Sequence, residues 1–278
     1  MPEPVVLPFN NGVRTIYKRD ALFVKLTADN GLCGYGPGAA SEPMAKMMNG
    51  HLSDLLVGQE ASDITAIDSL VASQGRGDLL LAYGAVNVAL HDLIGKYEGC
   101  TVSELLGGRK QEKLRLYGSA GMYQRPEEYA AEAAISAELG FSAFKYRPAL
   151  GPEEDLRTVQ LMREAVGPDI GLCLDAHGWF RMGDQSYTPE QIEQMAQEIK
   201  PYGITWLEEP LPPEDHPAYT KLRQKSIVPI AAGEHETSHE GFLSLIENGC
   251  VDIVQADVSH HGGLGSIKDI LQACKKHQ

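Results

Sequence analysis

Residues 171–210 read GLCLDAHGWFRMGDQSYTPEQIEQMAQEIKPYGITWLEEP. A short apolar run ends on Asp175, an amphipathic stretch (Pro189–Lys200) follows, and a second apolar run ends on Glu208 and Glu209. This is the rhythm of a parallel βαβ unit, in which short buried strands alternate with longer helices. The rhythm continues in both directions. Apolar runs begin at Leu114 (LRLYGS), Ser142 (SAFKYR), Gly171 (GLCLDA), Ile204 (ITWLEE), Val228 (VPIAAGE) and Val251 (VDIVQAD). Helix-like stretches such as Pro126–Leu139, Glu153–Val166 and Ser238–Asn248 separate them. Repeated units of this kind, without GxGxxG or a P-loop, place the chain in the α/β class. They favour a (β/α)-barrel, with about six strands here, over a doubly wound nucleotide-binding sheet.

Upstream the pattern differs. Ala21–Thr27 (ALFVKLT) reads as a strand, Asp29-Asn30-Gly31 as a turn, and Leu32–Tyr35 as the returning partner. From Glu42 to Glu98 the pattern is helical. Within Leu79–Lys96 the small residues Ala82, Gly84, Ala85 and Ala89 permit close packing against that helix. The expected division is a smaller α+β domain over residues 1–112 and a partial barrel over residues 113–278.

Composition narrows the function. The 278 residues are 43% hydrophobic and 22% charged, which is ordinary for a globular protein, and the formal net charge is −14. Nucleic-acid binding needs a basic footprint, and none is present. An acidic protein that takes an acidic substrate must concentrate positive charge locally, through a metal or a few placed Lys and Arg. The five cysteines are dispersed, with no CxxC pair, so reduced thiols are expected rather than a disulfide framework or a zinc knuckle. The longest uncharged apolar run, Leu79–Leu90, is too short to span a bilayer. With no secretory signal pattern either, a soluble cytoplasmic protein is expected.

The polar residues at the ends of the runs carry the chemistry. Lys145 and Arg147 end the second run, Asp175 and His177 the third, Glu208 the fourth and Glu234 the fifth, while Asp257 follows the sixth. In a (β/α)-barrel the C-terminal strand ends form the active-site face. Asp175, Glu208 and Glu234 make an all-oxygen donor set suited to Mg²⁺ or Mn²⁺. Any one of these acids alone is as readily a helix cap, so their shared register is the signal. His177 shares a strand face with Asp175 and can move a proton near a bound substrate. Lys145 and Arg147 can neutralise a substrate carboxylate or stabilise an enolate, and salt bridging to nearby acids is compatible with that role. Asp257, ahead of His260-His261-Gly262-Gly263, can orient a basic histidine or cap a helix. His235 directly follows a candidate ligand and is expected to be structural.

These residues resemble the enolase superfamily, in its mandelate racemase and muconate lactonising group. Asn87–Arg109 is similar to the end of that group's capping domain. KYR (145–147) resembles its KxK element, and DAHG (175–178), WLEEPL (206–211), GEH (233–235) and ADVSHHGG (256–263) resemble its successive strand-end motifs. The resemblance implies that residues 1–112 are the capping domain and that Asp175, Glu208 and Glu234 are the magnesium ligands. The first Glu of EEP is the ligand in that group, which selects Glu208 over Glu209. It also implies removal of the proton α to a carboxylate by a Lys or His base beside Mg²⁺.

Two details favour dehydration of a sugar acid to a 2-keto-3-deoxy acid. Arg147 stands where racemases carry a second basic Lys, and Arg is a poor base. Asp-x-His at the third strand resembles acid-sugar dehydratases of the galactonate type, in which that His, here His177, is the general acid. A racemase, epimerase or cycloisomerase with Lys145 as base is the alternative. A third reading is an inactive fragment that binds only metal or a partner chain. The resemblance further implies that the chain is truncated at both ends. The opening strand would precede Met1, a substrate-covering loop would lie within Pro8–Asp20, and the family's catalytic His, paired with Asp257, would lie on a seventh strand beyond Gln278. A small-molecule carboxylate and further copies of the chain are the expected partners.

Overall fold

The computed structural model describes residues 5–9, 12–17, 20–122 and 124–277. In chain order the elements begin with β1 (Val5–Phe9), β2 (Gly12–Ile16), β3 (Leu22–Thr27), β4 (Cys33–Gly38) and α1 (Glu42–Met47). Next come α2 (Ser53–Leu56), α3 (Ile64–Ala72), α4 (Gly77–Glu98) and α5 (Val102–Leu105). Strands and helices then alternate: β5 (Gly118–Met122), α6 (Pro126–Glu138), β6 (Ala143–Arg147), α7 (Pro152–Val166), β7 (Gly171–Asp175), α8 (Pro189–Ile199) and β8 (Ile204–Glu208). The alternation ends with α9 (His216–Gln224), β9 (Ile230–Ala232), α10 (His239–Glu247), β10 (Ile253–Val254) and α11 (Leu264–Lys276). The chain divides into two compact units. One comprises residues 1–18, 113–235 and 244–255, the other residues 19–112, 236–243 and 256–278.

The first unit holds a six-stranded sheet in the order β10-β9-β8-β7-β6-β5, with every pairing parallel. It is the strand succession of a (β/α)-barrel, left open between β10 and β5 among the described residues. Period-two alternation sorts the side chains. Phe144, Tyr146, Leu172, Leu174 and Leu207 enter the core beneath the helices, against Tyr129, Val159, Met162, Ile192, Met195 and Tyr219. The intervening residues Lys145, Arg147, Cys173, Asp175, Trp206 and Glu208 therefore occupy the opposite face. Helix starts follow local chemistry. Thr188 and Gln191 form a reciprocal capping box for α8, and Asp215 caps α9 by accepting from Ala218 N at 3.1 Å.

The first strand departs from the sequence expectation. Leu114–Tyr117 lies outside the strand and is exposed, and pairing starts at Gly118. The antiparallel hairpin β1–β2 also belongs to this unit. It includes part of the expected substrate-covering stretch Pro8–Asp20, of which residues 10, 11, 18 and 19 lie outside the described residues.

In the second unit β3 and β4 pair antiparallel from Leu22↔Gly38 to Thr27↔Cys33. The hairpin packs directly on α4. A Cβ at Gly34 would lie 2.0 Å from Ala89 O, and one at Gly36 would lie 2.1 Å from Ala85 O. Glycine is therefore required for this approach. Asn87 of α4 accepts from Leu264 N at 2.8 Å, which anchors the start of α11, and donates to Asp68 at 2.8 Å. Among the described residues no helix is long and apolar enough to cross a membrane.

Candidate active site

Strand register assembles the charged face. Lys145 pairs with Cys173, and Asp175 pairs with Glu208, across adjacent parallel strands. Lys145 Nζ lies 3.1 Å from Asp175 Oδ2 and donates to Glu208 Oε1. Arg147 Nε is also 3.1 Å from Asp175 Oδ2, and His177 Nδ1 is 2.6 Å from Asp175 Oδ1. Asp175 and Glu208 are fully buried and Lys145 nearly so. Unpaired, such buried charges would cost roughly several kcal/mol each, so the cluster holds only as a network. Burial pushes the Asp175 carboxyl up, but His177, Lys145 and Arg147 outweigh it and hold the group at about 2. Burial pushes the Lys145 ammonium down, and the Asp175 and Glu208 carboxylates reverse this and raise it. Lys145 is a locked cation in this arrangement.

The second oxygen of Glu208 accepts from Trp206 Nε1 at 3.0 Å and Gln255 Nε2 at 2.9 Å. Glu209 is built differently. Its φ of +47° is rare for a residue with a side chain, and its buried carboxylate accepts from Gly233 N at 2.9 Å and Tyr219 OH at 3.2 Å. Burial alone would raise it, yet contacts from His235 and Gly233 bring it below the usual glutamate value. His235 Nδ1 faces Glu209 at 3.6 Å and Glu234 at 3.7 Å, while its Nε2 lies 2.9 Å from Arg181 Nη2. The Glu209 contact raises the His235 imidazole above its ordinary value, against the opposing effect of burial.

Of the residues singled out in the sequence, Asp175, His177 and Glu234 bring one ligand atom each within 4.8 Å of one another. Glu208 joins Asp175 through Lys145, which bridges the two carboxylates. Asp257 belongs to the second unit. There it accepts from Ser259 N at 2.7 Å and lies 3.0 Å from His260 Nδ1, while its own N–H donates to His261 Nδ1 at 2.8 Å.

Two features of this region escaped the sequence reading. Glu209 and Arg181 contact opposite sides of the His235 ring. Asp155 of α7 ties two loops together. It accepts from Ala149 N at 3.0 Å and Leu150 N at 2.9 Å after β6, and from Trp179 Nε1 at 2.9 Å and Tyr187 OH at 2.8 Å after β7. Burial raises its carboxyl, and these donors pull the other way. His235 was expected to be structural, and nothing in the spacing marked its contacts with Glu209 and Arg181. Nothing in the spacing marked Asp155 or Arg181.

Asp175, His177 and Glu234 could together hold a divalent cation; Glu208, the remaining acid singled out in the sequence, is not in that group and is engaged by Lys145. Asp175, Glu208 and Glu234 outnumber the two paired cations Lys145 and Arg147. Asp175 Oδ2, although close to both cations, has no aligned hydrogen-bond donor. Oxygen-rich, net-anionic sites of this kind suit Mg²⁺.

Comparison with known proteins agrees with this architecture. Residues 1–107 match the mandelate racemase / muconate lactonizing enzyme N-terminal domain, and residues 128–278 match the family described as enolase C-terminal domain-like. The chain belongs to the enolase superfamily, in the mandelate racemase and muconate lactonising group, whose sites use one or two Mg²⁺ ions. It is 32% identical to D-galactarolactone cycloisomerase of Agrobacterium fabrum, covering 97% of this chain and 72% of that protein. It is 33% identical to L-rhamnonate dehydratase of Saccharopolyspora erythraea, covering 92% and 65% respectively. The structure of 3,6-anhydro-D-galactonate cycloisomerase from Zobellia galactanivorans superposes with a TM-score of 0.84 at 31% identity, over 99% of this chain and 76% of that one. The chain thus spans about two thirds of the length of the curated relatives.

Proposed function

We propose that this protein removes the proton α to the carboxylate of a sugar acid and then expels hydroxide, giving a 2-keto-3-deoxy acid. The observation that carries the reading is the buried network of Lys145, Arg147, Asp175 and Glu208, with His177 hydrogen-bonded to Asp175. Asp175, Glu208 and Glu234 would hold Mg²⁺. A bound Mg²⁺ supplies positive charge where the enediolate's negative charge develops. Lys145 and Arg147 orient the carboxylate end and add fixed charge there. His177, with Nδ1–H on Asp175, acts as the imidazolium and gives its Nε2 proton to the departing hydroxide, leaving neutral imidazole. Trp206 and Gln255 fix the outer oxygen of Glu208. In this reading residues 113–278 form the catalytic domain, residues 1–112 form the cap, and a basic histidine oriented by Asp257 takes the α-proton.

Similarity to a dehydratase favours loss of water. Similarity to two cycloisomerases keeps isomerisation as the second reading. The test is solvent-deuterium exchange at the α-carbon across a panel of sugar acids with Mg²⁺, followed by identification of the product. Exchange with a 2-keto-3-deoxy product, abolished by chelation and restored by Mg²⁺, is the expected result. Exchange with an isomeric product assigns a cycloisomerase. Metal binding without exchange on any acid sinks the enzymatic reading and leaves a chain that only binds metal or a partner.

A further inference from the structure

We infer that Arg181 binds a second anionic group of the substrate, so that the acid taken by this site is a sugar dicarboxylate rather than a monocarboxylate. The inference rests on the proton-abstraction reading for the near carboxylate, which Lys145 and Arg147 would hold.

Those two cations are already committed to Asp175 and Glu208. Arg181 is not. It lies in the loop that follows β7, is exposed, and pairs with no carboxylate among the described residues. Its guanidinium stands 5.0 Å over the Phe180 ring, and its Nη2 lies 2.9 Å from His235 Nε2. Arginine stays charged, so it donates and His235 Nε2 accepts. The other imidazole nitrogen is turned to Glu209, 3.6 Å away, and Glu209 is held by Gly233 N and Tyr219 OH. A buried carboxylate thus faces an imidazole, and the imidazole orients an exposed guanidinium. The other guanidinium N–H groups make no hydrogen bond among the described residues.

Position gives this cation its meaning. The His235 ring centroid is 6.2 Å from that of His177, and His235 neighbours Glu234, which has a carboxylate oxygen within 4.8 Å of ligand atoms of Asp175 and His177. Arg181 is therefore one side chain removed from the proposed reacting groups, at the rim of an acidic cluster. In a protein of net charge −14, an oriented cation there offers a local attraction for negative charge on the ligand. A planar, donor-only fork matches a carboxylate in two-point geometry and discriminates it from the hydroxymethyl end of an aldonic acid.

The test uses matched pairs that differ only at the far carbon: galactarate with galactonate, glucarate with gluconate, and mannarate with mannonate. Binding by calorimetry and α-proton exchange are measured with Mg²⁺ on the wild type, Arg181→Met and Arg181→Lys. The wild type should favour the diacid of at least one pair by about ten-fold or more. In Arg181→Met the diacid should lose about ten- to a hundred-fold more affinity than its monoacid partner, the scale of one charge-assisted pair. Arg181→Lys should fall between, because it keeps the charge without the fork. A wild type that prefers monoacids, binds neither member, or weakens equally toward both in Arg181→Met overturns the inference. Arg181-dependent diacid binding without exchange would leave it standing and sink the proton-abstraction reading. Exchange without diacid preference would do the reverse.

Discussion

His177 Nδ1 lies 2.6 Å from Asp175 Oδ1, and this pairing leaves Nε2 as the imidazole's free nitrogen. A carboxylate on Nδ1 fixes the ring plane, and the doubly protonated ring then aims its Nε2–H at a poor leaving group. In His177→Asn, dehydration should drop roughly 10²–10⁴-fold, the usual contribution of a general acid. Exchange of the α-proton should persist, because a different group removes it. Equal loss of both steps would make His177 the base or a binding residue. Unchanged dehydration would reduce it to a structural role.

The acid limb of stability should report on Asp175. Its carboxyl is held at about 2 in the folded protein, against 3.8 for the ordinary group. For a depressed carboxyl the unfolded chain binds the proton more readily. The stabilisation is therefore full above about pH 4 and is lost as pH falls toward about 2. Urea unfolding of metal-free protein between those values should show a shallower pH slope in Asp175→Asn than in the wild type. Superimposable slopes would mean that Asp175 is not the depressed group.

The hairpin on α4 gives a stability prediction independent of the site. A methyl at Gly34 would fall 2.0 Å from Ala89 O, and neither backbone can yield without moving the other. Gly34→Ala should destabilise by about 1–3 kcal/mol or more, as overpacking does. Gly99→Ala, at an exposed helix end with φ +67°, meets no atom within 4 Å and should cost only its backbone strain of about 1 kcal/mol. Chemical denaturation of the two variants compares them directly. Equal losses would contradict the close packing.

Much of this fold was readable because its signals are periodic. The alternation of Phe144, Lys145, Tyr146 and Arg147 encodes two faces within one strand, and Asp175 and Glu208 mark strand ends that register then brings together. The first barrel strand was misplaced because Leu114–Tyr117 looks more strand-like than Gly118–Met122 (GSAGM), whose small residues have weak strand preference. Helix α9 begins at a short Asp215-His216-Pro217 start and offers little periodic length to detect. Contacts made by loop residues away from the strand ends were not legible. Arg181 meets His235, and Asp155 meets Tyr187, only because the fold returns their loops to one place.

Asp155 supports the last prediction. Its two oxygens share four donors: backbone N–H groups of Ala149 and Leu150 on Oδ1, and Trp179 Nε1 and Tyr187 OH on Oδ2. Ala149 holds φ +137°, a strained value for a residue with a side chain, so the loop after Arg147 depends on this anchor. Trp179 and Tyr187 stack at 5.2 Å and frame the loop that carries Arg181. Asp155→Ala would leave four donors without a partner and should cost roughly 2–4 kcal/mol, the range for buried groups left unsatisfied. Asp155→Asn is the finer probe. Its carbonyl oxygen can keep the two backbone donors, and Tyr187 OH can rotate to accept from the amide. The Trp179 N–H would then face another donor. Asn should therefore cost less than Ala, about 1 kcal/mol, and should disturb the β7 loop more than the β6 loop. Hydrogen exchange by mass spectrometry reads this directly, with faster exchange expected over residues 176–187 and little change over 148–151. Equal loosening of both loops, or of neither, would show that the carboxylate does not divide its work in this way.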